Sequence, residues 1–184
     1  MLKYDYFSTL CELTDKSREA VEYACKKRTH ASIKISRIRA DSYKKLCELE
    51  HALFSEFLPP LDRASIAAYA HALCSIVDCA IAYASLSPIS RPHSVKGGFE
   101  GACISLCELL SEGTSMIESI KKSSDTPKLE EFREKKGQTL NSLCEWLVAT
   151  QNPHQPQLFS ARQELLSSIS SAFDTLIELI LKNI

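Results

Sequence analysis

The chain contains little of what builds sheets and tight turns. Only five of its 184 residues are glycine, and the short runs of valine, threonine and tyrosine that are typical of strands are scarce. Long helices joined by few tight turns are therefore predicted. Lysine and arginine together number 22 and aspartate and glutamate 23, which gives a net charge of −1. A chain with this balance has no overall field that attracts nucleic acid, so we expect no nucleic-acid partner.

The sequence also lacks the segments that direct a chain into or across a membrane. Its first residues, MLKYDYFSTLCEL, contain neither an apolar signal core nor a small-residue cleavage site. No uninterrupted apolar run reaches the roughly 18 residues that span a bilayer. We therefore expect a soluble, cytoplasmic protein without a transmembrane segment. The eight cysteines lie mostly at apolar helical positions, which favours buried thiols in a reducing compartment over disulfides.

Six segments carry apolar residues at every third or fourth position, which is the pattern of an amphipathic helix. Thr29 is available as the N-cap of the second segment, and Asp62 as the N-cap of the third. Pro59 and Pro60 separate these two segments. In order, the six segments span residues 7–24, 35–57, 62–84, 99–117, 129–147 and 165–180.

The six segments fall into two sets of three with matching sequence. The string LCEL begins at Leu10 and again at Leu106, a shift of 96 residues, while LCEL at Leu46 corresponds to LCEW at Leu143, a shift of 97. The string VDCAI in the third segment matches FDTLI in the sixth, again at a shift of 96. Because three helices align in order at nearly one offset, the pattern predicts a tandem duplication of a three-helix unit.

The predicted fold is therefore all-α, with six helices forming two pseudo-symmetric three-helix bundles in a single helical domain. We place the two repeats at residues 1–88 and 94–184. The linker between them is placed at about residues 85–98, where the stretch SLSPISRPHSVKGG is rich in proline, serine and glycine.

One run, FLPPLDRASIAAYAHALCSIVDCAIAYA, resembles the PhoU-like family of phosphate-transport accessory proteins, especially the branch called phosphate transport regulators. The preceding stretch SRIRAD keeps two further positions of the family pattern, Ala40 and Asp41. The other matching residues are Phe57, Pro60, Asp62, Arg63, Ile66, Ala72, Leu73 and Asp78. The resemblance is specific from about residue 35 to residue 84. It implies two three-helix bundles packed side by side and a role in inorganic phosphate uptake or its regulation.

On this basis we expect a non-enzymatic regulator or accessory protein that contacts a membrane phosphate transporter or its sensor. Such a protein is expected in the cytoplasm. The sequence leaves open whether it binds peripherally at the inner face of the membrane and whether it forms a homo-oligomer. The residues themselves show no catalytic pattern, because KGGFEG lacks the lysine and hydroxyl residue that end a phosphate-binding loop. A helical scaffold that has lost the family's role is a further alternative.

The resemblance also implies a metal site, since family members bind iron or zinc through (Glu/Asp)-x-x-x-Asp motifs. Residues four apart lie on one helical face, so that two carboxylates converge on one cation. This chain keeps one carboxylate in each of four motifs, which pair Arg37 with Asp41, Cys74 with Asp78, Glu134 with Gln138 and Ser170 with Asp174. A multinuclear site is therefore not expected.

Two interpretations of the remaining carboxylates stay open. Arg37 lies one helical turn before Asp41 and Lys45 one turn after it, which predicts a surface ion-pair ladder along the second helix. We favour this interpretation. The alternative is a single divalent metal, zinc or iron. In that case His71, Cys74 and Asp78, which share one side of the third helix, would bind it with Asp41 as the fourth ligand.

A basic cluster surrounds the turn between the first two helices. It consists of Lys26, Lys27, Arg28, Lys34, Arg37 and Arg39, with no acidic residue between Glu22 and Asp41. The cluster predicts either a contact for an anionic partner, such as acidic transporter loops, phospholipid head groups or phosphate, or a solvated turn. Aromatic residues do not interleave with the charges, which argues against single-stranded nucleic acid.

Overall fold

In the computed structural model of the chain, the described residues form six helices. The structure describes residues 4–26, 30–55, 61–86, 98–120, 126–149 and 155–182, and no strand occurs within these ranges. The helices are α1 (Tyr6–Cys25), α2 (Ala31–Ser55), α3 (Arg63–Leu86), α4 (Phe99–Ile120), α5 (Thr126–Ala149) and α6 (Pro156–Leu181). The predicted number and order of the helices are confirmed. The predicted cap Thr29, the Pro59–Pro60 pair and most of the predicted linker lie outside the described residues.

Local sequence explains where the described helices begin. The side chain of Asp5 accepts a hydrogen bond from the Ser8 amide at 3.0 Å and caps α1. Asp62 caps α3 as predicted, because its carboxylate accepts bonds from the Ser65 amide at 2.9 Å and the Ser65 hydroxyl at 2.7 Å. These bonds lower the pKa of Asp62. Helix α6 begins at Pro156, well before the first predicted apolar position at residue 165, since proline suits a first helical turn.

The helices form two bundles, as predicted. Helices α1, α2 and α3 contact one another in the first, and α4 contacts both α5 and α6 in the second. The bundles meet along α1 with α4 and along α3 with α6, and the α3–α6 contact is the most extensive in the molecule. Each of these two contacts joins helices that occupy corresponding places in the two halves. This arrangement fits a pseudo-two-fold relation between the bundles.

Helix α3 is the most apolar of the six helices. By length and composition it is also the one described helix that could cross a membrane, although only half of the qualifying window is buried inside the protein. It packs against α1, α2 and α6, so its apolar composition is accounted for by its place in the core. Tyr69 and Tyr83 on this helix are completely buried.

Buried hydroxyl groups join the two halves. Tyr69 on α3 lies with its phenolic oxygen 2.6 Å from Thr114 Oγ1 on α4, and Thr14 Oγ1 on α1 lies 3.2 Å from Thr114 Oγ1. Both threonines donate to carbonyls of their own helices, Thr14 to Leu10 and Thr114 to Leu110, each at 2.8 Å. Their protons are therefore committed, and the Tyr69 hydroxyl is the donor to Thr114. Desolvation at this site raises the pKa of Tyr69.

The repeated strings place their leucines in the core and their cysteines at varied depths. Leu10, Leu46, Leu106 and Leu143 are all buried. Of the eight free cysteines, Cys25, Cys74, Cys103 and Cys107 are buried, whereas Cys11 and Cys79 are half-buried. Cys47 on α2 and Cys144 on α5 are exposed. The expectation of buried thiols therefore holds fully for four of the eight cysteines and fails for Cys47 and Cys144, because the residue after the core leucine faces outward on α2 and α5.

The second bundle is more open than the first. Helix α5 touches α6 over a short stretch only, whereas α2 packs along α3. A groove of about 500 Å³ lies between α5 and α6 and is lined in part by Leu140, Cys144, Val148 and Phe159. The two halves thus share helix order but differ in how closely the second helix packs against the third.

Candidate functional site

Asp78 is held by cationic and phenolic groups of the neighbouring helix. Its Oδ1 lies 2.5 Å from Arg39 Nε, and its Oδ2 accepts a hydrogen bond from the Tyr43 hydroxyl at 2.8 Å. The Arg39 guanidinium also lies over the Tyr43 ring at 4.9 Å from its centroid. The Asp78 carboxylate raises the pKa of Arg39 and of Tyr43. Both Asp78 oxygens are thus occupied by side chains of α2.

The second half repeats this ion pair. Lys136 Nζ on α5 lies 2.5 Å from Asp174 Oδ1 on α6. Lys136 follows Arg39 by 97 residues and Asp174 follows Asp78 by 96, which are the offsets of the sequence repeat. Lys136 also lies 5.7 Å from the centroid of the Phe173 ring. In both halves, therefore, a cation of the second helix neutralises the aspartate of the third.

The other predicted carboxylates have separate partners. Asp41 lies 3.5 Å from Lys16 on α1, and Lys45 pairs with Glu12 on the same helix. Glu134 accepts a hydrogen bond from Gln138 at 3.2 Å. The predicted ladder along α2 is thus replaced by ion pairs that cross from α2 to α1, because α1 presents charges of the opposite sign to the flank of α2.

His71 and Cys74 do not join Asp41. His71 Nε2 lies 2.8 Å from Glu50 Oε1 on α2. Cys74 is buried, and desolvation, with the Asp78 charge as a smaller cause, raises the pKa of its thiol to about 12. A thiol binds metal as the thiolate, so this environment disfavours Cys74 as a ligand.

Sequence reasoning missed a charged cluster at the junction of α3, α4, α5 and α6. The Tyr83 hydroxyl donates to Glu100 Oε1 at 2.7 Å, and Arg162 Nη2 lies 3.7 Å from the same oxygen. The Arg162 guanidinium lies 5.3 Å from the Trp146 ring centroid and 5.6 Å from that of Phe99. Burial and the Glu100 charge raise the pKa of Tyr83.

The signal for this cluster in the sequence is weak. Trp146 is half-buried and stacks on Phe99 with ring centroids 6.1 Å apart. A cavity of about 410 Å³ lies beside it and is lined also by Gln138, Ser142 and Ala102. None of the described residues that line this cavity is charged, so they offer a ligand no ion-pair partner.

No family model and no curated protein matches the chain. Two solved structures from Shewanella oneidensis MR-1 do. A PhoU-like protein aligns with a TM-score of 0.69 at 15% identity, over 97% of this chain and 100% of its own. A putative PhoU-like phosphate regulatory protein aligns with a TM-score of 0.63, also at 15% identity, over 97% of this chain and 98% of its own.

The chain has the PhoU-like fold. The architecture expected from the run that begins at Phe57 is therefore confirmed over nearly the whole chain. At 15% identity the match concerns the fold, and the roles of individual residues are argued from this chain alone.

The metal ligands expected for a PhoU-like protein are dispersed here. Within the described ranges, no group of three or more histidine, cysteine, aspartate or glutamate side chains is close enough to hold a metal ion. Asp41, Asp78, Glu134 and Asp174 each have a partner within the protein. The arrangement can hold pairs of helices together through ion pairs, and a mononuclear metal site stays a prediction.

The basic cluster is partly neutralised within this PhoU-like fold. Lys26 pairs with Glu22 at 2.6 Å, Lys34 with Glu19 at 3.8 Å, and Arg39 with Asp78. Arg37 is exposed and has no ion-pair partner among the residues that the structure describes. Lys27 and Arg28 lie outside these residues. The predicted partner-binding role of the cluster stays a prediction.

Proposed function

We propose that this protein is a non-enzymatic regulator or accessory protein of inorganic phosphate transport. The observation that carries the proposal is the PhoU-like fold over 97% of the chain, since one of the matched structures is described as a putative PhoU-like phosphate regulatory protein. The sequence run from Phe57 to Ala84, which resembles phosphate transport regulators, supports the same role.

The proposed mode of action is contact with a membrane phosphate transporter or with its sensor. The pairing of Asp78 with Arg39 and of Asp174 with Lys136 supports this mode, because carboxylates engaged within the protein are less free to bind a metal. The protein would work in the cytoplasm, including the inner surface of the membrane where such a partner is reached.

The chemistry of the buried thiols supports a role without catalysis. Desolvation raises the pKa of Cys107 to about 12 and raises that of Cys103 well above its ordinary value. An enzyme that uses cysteine as a nucleophile lowers the thiol pKa instead. These cysteines therefore have the properties of core residues.

Phosphate uptake by cells that lack the gene tests the proposal. We expect the rate of radiolabelled phosphate uptake, or its repression by external phosphate, to change in the deletion strain and to be restored by the intact gene. Uptake and repression identical to those of the parent strain would reject the proposed role and favour a scaffold that has kept only the fold.

Metal analysis tests the second candidate, a mononuclear zinc or iron site. The observation in its favour is that His71, Cys74 and Asp78 share one side of α3. Protein purified without chelator is expected to contain far less than one equivalent of metal if the ion pairs persist. One equivalent that is lost in Asp78→Asn would support the metal site.

A further inference from the structure

Helix α2 carries a second helix-packing pattern on the side that faces away from the protein. Its inner side packs into the core through residues that include Ile35, Ile38 and Leu46. Its outer side presents seven exposed residues at alternating spacings of four and three, which we call the outer stripe: Ile33, Arg37, Ala40, Lys44, Cys47, His51 and Phe54. Residues at this spacing lie along one face of a helix, so the seven side chains form a continuous exposed surface.

The outer stripe has a large apolar residue at each end and two small residues between them. Ile33 is 55% exposed and Phe54 is 87% exposed, which makes Phe54 the most exposed large apolar residue described. Ala40 and Cys47, between them, are small enough for another helix to approach to the 8–10 Å that packed helices adopt. From Ile33 to Phe54 the stripe is ~31 Å long, at about 1.5 Å per residue.

The two cations on the outer stripe differ from the other cations of α2 in forming no ion pair within the described residues. Three cations on the flanks of α2 pair with acidic residues of α1 or α3, namely Lys34 with Glu19, Arg39 with Asp78 and Lys45 with Glu12. Arg37 and Lys44, which lie on the stripe, have no ion-pair partner in the described part of the chain. None of the seven stripe residues is acidic. These two cations lie seven residues apart, so they favour a partner whose carboxylates are spaced at the same interval.

The fold does not require these charges. At the repeat offset of 97, Arg37 corresponds to Glu134 and Lys44 to Asn141 on α5, while Cys47 corresponds to the likewise exposed Cys144. The second helix of the other half therefore keeps the exposed thiol and carries no cation at either position. The basic character of the stripe is specific to α2.

We propose that the outer stripe binds an acidic, amphipathic helix of a partner protein. Apolar side chains of that helix would contact Ile33 and Phe54, and carboxylates about seven residues apart would pair with Arg37 and Lys44. The inference rests on the proposed function, in which the partner is the phosphate transporter or its sensor. A bare membrane surface is less suitable, because its anionic head groups would also face Asp41 and Glu48, which are exposed beside the stripe. A single helix can place its carboxylates opposite Arg37 and Lys44 alone.

Binding of defined peptides tests the inference directly. The probes are fluorescent peptides that cover the acidic helical segments of the phosphate transporter and its sensor in the same genome. Each is titrated with the intact protein in about 0.1 M salt. At least one peptide is expected to bind, and Arg37→Glu combined with Lys44→Glu is expected to weaken its binding about tenfold or more. The matched control, Arg133→Glu with Lys135→Glu on α5, changes the net charge equally and is expected to alter binding less than twofold.

Several results would overturn the inference. The first is that no such peptide binds, and the second is that the control variant loses as much binding as the stripe variant. The third is that the protein binds vesicles with about 30% anionic lipid and the stripe variant abolishes this binding but leaves peptide binding unaffected. Helical circular dichroism of both variants should match that of the parent protein, since all four positions are exposed.

Complementation separates failure of this inference from failure of the proposed function. If deletion of the gene alters phosphate uptake and the stripe variant restores it fully, the docking surface is rejected and the function stands. If deletion has no effect on phosphate uptake, the proposed function fails, and the peptide titration alone decides whether the stripe binds an acidic helix.

Discussion

Gly113 lies where α4 comes closest to α5 and α6. A Cβ atom at this position would lie 2.5 Å from Phe132 Cζ and 2.8 Å from Leu176 Cδ2. The Phe132 ring has little room to move, because it packs on Phe173 with ring centroids 5.4 Å apart. Gly137 in α5 has open space around it, with nothing within 4 Å of an added Cβ. The same residue type therefore serves close packing in one helix and has no packing role in the other.

Substituting alanine at each glycine should change stability in opposite directions. Overpacking at Gly113→Ala costs about 1–3 kcal/mol, which exceeds the gain of roughly 0.8–1 kcal/mol from better helix propensity. Gly137→Ala should keep most of that gain. Urea denaturation is expected to show a net loss of about 1 kcal/mol for the first and a gain of about 0.5–1 kcal/mol for the second. Equal stabilisation by both would disprove the close packing at Gly113.

The candidate site could be predicted at the residue scale only in part. The sequence places Asp78 on α3 and Asp41 on α2, and both are where the motif predicts them. Their partners, Arg39 and Lys16, come from other helices, and spacing along one helix carries no information about side chains across an interface. The repeat offset relates Arg39 to Lys136, so comparing the two halves would have pointed to the shared ion pair.

Individual helices were predictable because their apolar residues recur at helical spacing, and Asp62 marked the start of α3. The prediction was less complete for α6, whose first turns carry the scattered apolar residues Leu158 and Ala161 before the regular seam begins. The loose contact of α5 with α6 could not be predicted, because both helices have apolar faces and the sequence does not specify their separation.

Helix α1 offers a test of pH dependence at the scale of one element. Glu22 pairs with Arg18 at 3.1 Å and with Lys26 at 2.6 Å, one turn away on either side. The hydrogen bond from Lys26 is the main cause that lowers the pKa of Glu22. A lowered folded-state pKa means that this contribution to stability is present above the unfolded pKa of about 4.3 and is lost as the pH falls through the folded value.

Glu22→Gln should therefore destabilise the protein near neutral pH and less so in acid. Two pairs of this i, i+4 kind contribute about 0.4–1 kcal/mol together, so we expect a loss of that size at pH 7 in denaturant unfolding. The difference from the parent protein should shrink below about pH 4, as the carboxylate is protonated. Glu108→Gln on α4, which removes the same charge at an exposed position, is the control and is expected to change stability at pH 7 by less than about 0.5 kcal/mol. A constant loss at all pH values would contradict the ion-pair explanation.

The two bundles share one core at the scale of the whole molecule. Their contact includes the long α3–α6 packing and the buried bond from the Tyr69 hydroxyl to Thr114. The sequence repeat predicted two similar units but not how they join, because residues at the seam between the halves differ. Tyr69 corresponds to Leu165 at the repeat offset of 96, so the hydroxyl bond has no counterpart on the other side.

This shared core predicts a single cooperative unfolding transition. Trp146 is the sole tryptophan and lies in the second half, so its fluorescence monitors that half, whereas far-ultraviolet circular dichroism monitors all six helices. Leu73→Ala empties a buried position of α3 in the first half and should cost about 2–5 kcal/mol. Because α3 packs on α6, both signals are expected to shift to the same lower urea midpoint.

Lys44→Ala, an exposed change in the same half, should leave both midpoints within about 0.5 kcal/mol of the parent value. If the halves unfolded separately, Leu73→Ala would leave the Trp146 midpoint unchanged and split the circular dichroism curve in two. That result would mean that the α3–α6 contact adds too little free energy to couple the bundles. A partner bound at α2 would then stabilise the first bundle alone. Coincident midpoints would allow binding at α2 to stabilise the whole protein.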